Sequence, residues 1–376
     1  MPPKVLHIID NLDHCAVESW LLRMMRHARA CGAPLDWTFY CALDAPGAMD
    51  AEAQALGARI VRSPAPLNNQ LAFAKALRAE LKRGRYGVMH CHHDLVSGLY
   101  LAASAGLPIR RIVHAHNADE NVLTPSPMKQ RLYRPLLRSV CLAMADRTLG
   151  NSGHTLDTQL GGRPRRPGRD VVHYYGVDPS PFEGAAPDRS ALRRALGLPD
   201  DALILLFGGR LVPEKNPVLT VDILAELTRR EPRAVALFAG SGSQEQAVRE
   251  RAAALGVEDA VRLLGWRDDL PDLMRAADWF ILPRPEHPME GFGLAVVEAQ
   301  LAGLRLLVSR GVPDDPFLPT ASYRRLPLAA PASVWADAAM ALLAQPAPSA
   351  TDAMAALHTS PMDLDYALKA LAALHA

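Results

Sequence analysis

Residues 279–309 read WFILPRPEHPMEGFGLAVVEAQLAGLRLLVS. The short apolar run Trp279 to Leu282 has the length and composition of a buried strand. A Pro-rich loop follows, then Glu290-Gly291-Phe292-Gly293, an Ala-rich helical run and a second apolar strand at Leu304 to Val308. Strand, glycine loop, helix and strand make one βαβ unit. A helix starting after Gly293 offers unpaired N–H groups and a positive dipole end, which suits a phosphate. Glu290 sits in the loop and Glu298 just over one turn into the helix; Leu294 to Glu298 spans about 6 Å at the usual rise per residue. Two carboxylates can then bracket a ligand whose phosphates rest on the helix end, as a nucleotide-sugar requires. Read alone, the segment is equally an ordinary crossover with surface acids, because a lone Gly-x-Gly is weak evidence.

The rest of the chain repeats the pattern. Apolar strands are expected at Val5–Ile9, Trp37–Cys41, Arg59–Val61, Val88–Cys91, Arg111–Ala115 and Arg147–Leu149, with helices such as Val17–Arg29 and Leu71–Lys82 between them. A second block starts near Arg189, with strands at Leu203–Phe207, Ala234–Phe238 and Val261–Leu263 before the opening segment. Asn216-Pro217 predicts a helix start, with Asn as N-cap and Pro in the first turn. Such alternation argues for parallel sheets covered on both faces. The Gly-, Pro- and Arg-rich stretch Gly161–Pro187 marks a domain boundary.

Composition narrows the function. The chain has 376 residues, 49% hydrophobic and 22% charged, enough for two domains with full cores. A net charge of +1 gives no global field for nucleic acid. Basic clusters lie in the first half: Arg23, Arg26 and Arg29; Lys82, Arg83 and Arg85; Lys129, Arg131, Arg134 and Arg138; Arg163, Arg165, Arg166 and Arg169. They read as solvated helix faces or as a shallow dock on an anionic membrane. Five cysteines without a short repeated spacing read as reduced thiols. No signal peptide is apparent and no run approaches a membrane span, so a cytoplasmic protein, peripheral at the inner membrane, is expected.

Two further loops carry chemistry. Phe207-Gly208-Gly209-Arg210-Leu211 and Pro213-Glu214-Lys215-Asn216 follow the first strand of the second block. Glycines let backbone approach a ligand, and Arg210 and Lys215 supply cations at a strand's carboxyl end, where a departing diphosphate needs neutralising. Seen alone, they are also two solvent-facing bases. Ala239-Gly240-Ser241-Gly242-Ser243 offers another backbone cradle.

Together these features resemble the retaining glycosyltransferases of the GT-B fold, family 4 type. The resemblance runs from Val5 to about Ser309. It is strongest in Gly-Gly-Arg-Leu with Lys215 downstream, Gly-Ser-Gly-Ser, Leu264-Gly265-Trp266 before Asp269, Ala277-Asp278, and Glu290 to Glu298 with the filling Gly-Phe-Gly-Leu. Glu298-Ala299-Gln300 and Ala302-Gly303 also resemble the bacterial exopolysaccharide and surface-glycan branch. The resemblance implies an α/β chain of two Rossmann-like, doubly wound domains facing a cleft. Residues 1–183 would form the acceptor-side domain and 184–355 the nucleotide-sugar domain. The tail, 356–376, would carry a helix returning toward the N-terminal domain.

It further implies roles. Arg210 and Lys215 would hold the donor diphosphate, Glu298 the ribose hydroxyls, and Glu290 the transferred sugar. Gly209 and the backbone N–H groups of Phe292, Gly293 and Leu294 would approach phosphate and sugar, and the base would rest near Trp266 and Arg267. His116 would make a polar contact to the donor, with Asn117 and His93 on the acceptor side. No cofactor and no metal are expected. The implied reaction moves a hexose from a nucleoside diphosphate sugar, UDP-sugar favoured, to a hydroxyl of a saccharide or lipid-linked saccharide, with retention.

Two positions depart from the family pattern. Cys15-Ala16-Val17-Glu18 stands where two glycines usually precede the Val/Ala-Glu pair. Ala16 thus replaces a glycine beside the donor phosphate, and a positive φ there would cost about 1 kcal/mol or more. Tyr175 precedes Gly176 where Asn is usual. The first departure leaves open a catalytically weak or inactive nucleotide-sugar-binding partner subunit. A dinucleotide-dependent oxidoreductase is disfavoured, since Asp10 to His14 contains no glycine.

Histidines cluster at His90-Cys91-His92-His93 and His114-Ala115-His116-Asn117. Strand alternation sends His90 and His92 to one face. A metal needs three or four convergent ligands and a second shell; packed, hydrogen-bonded core imidazoles are the expectation.

Overall fold

The computed structural model describes residues 2–118, 127–184 and 188–376. The end of the Gly-, Pro- and Arg-rich stretch, 185–187, and the side chain of Lys129 in one basic cluster lie outside the described residues. Two compact units form. One comprises Met1–Gly176 with Pro361–Ala376, the other Val177–Ser360. Gly176 closes the first unit under Met24, Leu364 and Ala367, where an added Cβ would meet side-chain carbons 2.5 to 3.1 Å away.

The first unit is built on strands β1 (Lys4–Ile9), β2 (Asp36–Cys41), β3 (Arg59–Arg62), β4 (Val88–Cys91), β5 (Arg110–Ala115), β6 (Arg147–Gly150) and β7 (Asp170–Val172). The second has β8 (Leu203–Gly208), β9 (Ala234–Ala239), β10 (Val261–Gly265), β11 (Trp279–Leu282), β12 (Arg305–Ser309) and β13 (Tyr323–Leu326). The sheet orders are β3-β2-β1-β4-β5-β6-β7 and β10-β9-β8-β11-β12-β13, with parallel pairing throughout. Both are Rossmann-like, and in each the order reverses beside the first strand, at β1/β4 and at β8/β11. Ligands bind outside the carboxyl ends of the strands at such a reversal.

The expected strands form within two residues of their expected ends. β7 and β13 were not anticipated. Asp170-Val-Val is too short to show a period, and Tyr323-Arg-Arg-Leu is an edge strand without an apolar run.

Burial explains the sequences. β8, β9 and β11 are covered on both faces and are apolar almost throughout. Trp279 on β11 is fully buried in the second core, and its indole N–H donates to the Ala339 carbonyl at 2.9 Å. In the first unit, Leu6, Ile8, Met89, Cys91 and Val113 pack on Phe73, Leu77 and Tyr100. The opposite face of the same strands carries His7, His90, His92, His114 and His116, all buried. Trp20 of the helix Ala16–Ala30 and His375 of the helix Leu364–His375 pack on that face. The terminal helix therefore belongs to the N-terminal unit.

Candidate active site

In the second unit the loops after β8 and β11 meet at the β8/β11 reversal. Gly209 leaves β8 at φ +138°, a region that strains any residue with a Cβ. Its amide donates to Ala239 O at 2.9 Å, and Gly240 N donates to Gly265 O at 2.7 Å. The loops after β8, β9 and β10 are thus stitched by backbone. Gly240 and Gly242 are required by closeness, since an added Cβ would lie 2.1 Å from Gly209 O and 2.3 Å from Leu211 O.

A single helical turn, Pro213–Lys215, then turns Lys215 back over Gly209. An ideal Cβ at Gly209 would sit 3.5 Å from Lys215 Nζ. Asn216 occupies the expected N-cap position of the helix Pro217–Arg230, yet at φ +47° and without a side-chain capping bond. The tight turn demands a left-handed residue, and Asn tolerates that region; its conformation, and not its side chain, ends the turn. Arg210 is exposed beside this loop.

Glu290 faces Lys215. Its Oε2 lies 3.7 Å from Lys215 Nζ and 3.5 Å from Arg284 Nε. All three side chains are largely buried. Arg284 also donates to Met289 O at 3.1 Å, and its own carbonyl accepts from Ser309 Oγ at the end of β12. Glu290 N donates to Gly311 O at 2.8 Å. The loop is therefore pinned to the β12 end at Arg284 and at the acid itself.

Gly293 caps the helix Leu294–Leu301 at φ +96°. Past it, Val296 N donates to Gly293 O at 2.9 Å, and the N–H groups of Leu294 and Ala295 are those a helix start leaves without a carbonyl of a preceding turn. Phe292 is buried beneath, and Glu298 lies half-buried in the second turn. Trp266, after β10, is 69% exposed, while Arg267 is held by Asp269 at 2.7 Å.

In the first unit, Ala16 is the first residue of the helix Ala16–Ala30, and Cys15 is an extended N-cap at φ −104°. Ala16 is absent from the positive-φ residues, so losing the glycine pair costs no backbone strain.

His116 is 5% exposed. Its Nε2 pairs with His92 Nδ1 at 2.9 Å and its Nδ1 with the Tyr175 hydroxyl at 2.6 Å. Both ring nitrogens are thus engaged inside the unit, and neither is presented to a donor. Tyr175, the residue replacing the usual Asn, supplies one of those bonds. Burial holds the His116 imidazole down at about 3 and the His173 imidazole at about 4. Burial, reinforced by neighbouring imidazoles, also pushes His7, His90, His92 and His114 well below the ordinary value. The layer is neutral at neutral pH.

At the β1/β4 reversal His93 Nε2 lies 3.1 Å from Asp10 Oδ1, and that bond holds the Asp10 carboxyl below its usual range. Asn117 is fixed by Asp94, whose Oδ2 accepts from its Nδ2 at 2.8 Å.

Comparison with known proteins decides the fold family. Residues 17–181 match Glycosyltransferase Family 4, and residues 188–314 match Glycosyl transferases group 1. Their fold is that of the GT-B glycosyltransferases. The putative glycosyltransferase EpsF of Bacillus subtilis is 28% identical over 342 residues, 89% of this chain and 86% of that protein. The D-inositol 3-phosphate glycosyltransferase of Actinosynnema mirum is 35% identical over 61% of this chain and 58% of that protein. Anabaena HepE, solved in complex with UDP-glucose, superposes with a TM-score of 0.78 at 19% identity over 99% of both chains.

On this GT-B chain the structure brings Gly209, Lys215 and Glu290 together at one reversal. The helix start at Gly293 continues directly from the Glu290 loop. Sequence reading missed Arg284, Ser309 and Gly311. Only Arg284 left a signal, as a cation in the loop at the carboxyl end of the strand beside β8. Ser309 and Gly311 act through chain carbonyls, which no residue pattern announces. Among the described residues no helix is long and apolar enough to cross a membrane.

Proposed function

We propose that the chain is a retaining hexosyltransferase. It transfers a hexose from a nucleoside diphosphate sugar, UDP-sugar favoured, to a hydroxyl of a saccharide or lipid-linked saccharide in surface polysaccharide synthesis. The observation that carries this reading is the Lys215–Glu290 pair at the β8/β11 reversal, beside the glycine turn and the helix end at Gly293. UDP-glucose in HepE and the EpsF relationship support donor class and pathway.

In the proposed reaction the acceptor oxygen bonds to the anomeric carbon on the face the diphosphate leaves. The bond from that carbon to the β-phosphate oxygen breaks, and this oxygen takes the acceptor's proton. Arg210, Lys215 and the helix end offset the charge that develops, so neither a metal nor a protein nucleophile is needed. Glu290 orients the sugar, Glu298 grips the ribose, and the base stacks on Trp266. His116, whose ring nitrogens bond to His92 and Tyr175, is given no direct part in this step. The partner-subunit alternative loses its main support, because Ala16 fits without strain.

The helix Pro127–Met144 supports a peripheral membrane contact. Met128, Leu132 and Leu136, 80%, 68% and 56% exposed, fall at intervals of four beside exposed Arg131, a pattern suited to an anionic interface. Flotation with anionic vesicles tests it; no enrichment over neutral vesicles overturns it.

Nucleotide release from UDP-, GDP- and ADP-hexoses, with the product anomer read by NMR, tests the main proposal. Release with inversion overturns retention. Absence of release with every donor and with saccharide and lipid-linked acceptors overturns the enzyme reading.

A further inference from the structure

The imidazole layer of the N-terminal unit takes no part in the proposed transfer. We propose that His7, His90 and His375 form a buried, nitrogen-only site for a borderline first-row cation of the Zn²⁺ class, which fastens the terminal helix to the sheet.

His7 on β1 and His90 on β4 are register partners on one sheet face. His375 reaches them from the last turn of the helix Leu364–His375. One ring nitrogen from each lies within 4.8 Å of the other two, and all three residues are buried. A tetrahedral ion with normal Zn–N bonds sets ligand nitrogens roughly 3.3 Å apart, so small side-chain rotations close the site.

The hydrogen bonds leave a ring nitrogen available on two of the three residues. His7 Nε2 and His90 Nε2 are buried without a partner. A buried polar atom left unpaired costs roughly 1–3 kcal/mol, and a bound ion satisfies both. Their other nitrogens are engaged: His7 Nδ1 with His92 Nε2 at 3.0 Å, and His90 Nδ1 with His375 Nε2 at 3.0 Å. When His7 donates from Nδ1, its Nε2 carries the lone pair. The relay onward through His92 and His116 to Tyr175 then fixes that tautomer, as an outer shell does for ligating imidazoles. On binding, His375 exchanges its contact with His90 for the ion.

A second trio, His90, His92 and His114, meets the same distance limit. Both nitrogens of His92 already bond to neighbouring imidazoles, so ligation there would break the relay. The first trio leaves that relay intact and gives up only the His90–His375 contact. Because the ligand set is all imidazole, Mg²⁺ and Ca²⁺, which demand oxygen, are excluded, and Zn²⁺, Co²⁺ and Ni²⁺ fit. The ion is structural, and no step of sugar transfer passes through it.

The full-length protein, produced with and without added zinc salt and dialysed against a moderate chelator, is assayed for metal by mass spectrometry. Roughly one ion per chain is expected, with a raised melting temperature and no effect of Mg²⁺. His375→Phe, at the chain's last turn, is expected to lose at least about tenfold in affinity, while His114→Phe keeps it. In the Co²⁺ protein, d–d absorption and X-ray absorption should report tetrahedral histidine ligation, a readout independent of variant folding. No stoichiometric metal, undiminished affinity in His375→Phe, or loss in His114→Phe instead overturns the site. None of these outcomes bears on transferase activity, which the nucleotide-release assay reads separately.

Discussion

Lys215 Nζ lies 3.7 Å from Glu290 Oε2, and the two residues come from loops that follow β8 and β11. Seventy-odd residues of chain separate them, and the reversal of strand order sets them side by side. Arg284 Nε approaches the same carboxylate oxygen at 3.5 Å. Two cations on one acid leave local positive charge in excess, as a diphosphate site requires.

Removing that charge should slow the chemistry more than donor binding. Lys215→Ala and Arg210→Ala are expected to lower kcat by about 10²–10³-fold, the range for losing one preorganised stabiliser of developing charge. Steady-state kinetics with the preferred donor checks this. Near-normal turnover in both variants would mean the leaving group is stabilised elsewhere.

Arg284 should act through Glu290. Arg284→Leu leaves the acid with one cation and frees the loop from the Met289 carbonyl. A loss of about tenfold in kcat/KM is expected, with partial rescue by Arg284→Lys, which restores charge without the planar fork. Equal losses in the Leu and Lys variants would point to packing alone.

Glu18 gives a pH signature. Burial lifts its carboxyl from 4.5 to about 7, helped by Asp10 and Asp13 and opposed by its backbone hydrogen bond and by His93. The folded chain thus keeps a proton that the unfolded chain has released. Stability from this group is present below the unfolded value and declines as pH rises from about 4.5 through 7, by on the order of 3 kcal/mol. Glu18→Gln should therefore gain on the wild type across that window. Denaturant unfolding at pH 5 and 7.5 reads the gap, and a gap that does not widen contradicts the assignment.

Gly240 tests the loop scaffold. Its φ is +147°, and an added Cβ would lie 2.1 Å from Gly209 O. Gly240→Ala should destabilise the second unit by about 2–4 kcal/mol and weaken donor binding, because Gly209 must shift. Urea unfolding and a donor thermal shift measure the two effects; an unchanged midpoint would show that the loops yield freely.

Residue order was enough to read the two parallel α/β blocks, because short apolar runs bounded by turn residues alternate with segments of helical period. Loops bearing Gly209, Arg210, Lys215, Glu290 and Gly293 were legible for a similar reason: a turn that needs positive φ and a site that needs charge each restrict residue type locally. Strands without a pattern, β7 and β13, were not. Nor were the interactions that depend on distant chain segments. Packing showed that Ala16 is helical and unstrained, that Arg284 attends Glu290, and that Tyr175 and His92 consume both nitrogens of His116. Packed imidazoles were expected at the two histidine clusters, but only the fold adds His7, His173 and His375 to the same buried layer. Local chemistry dictates which backbone shapes are affordable, whereas hydrogen-bond partners are assigned only when segments far apart in the chain compete for the same small volume.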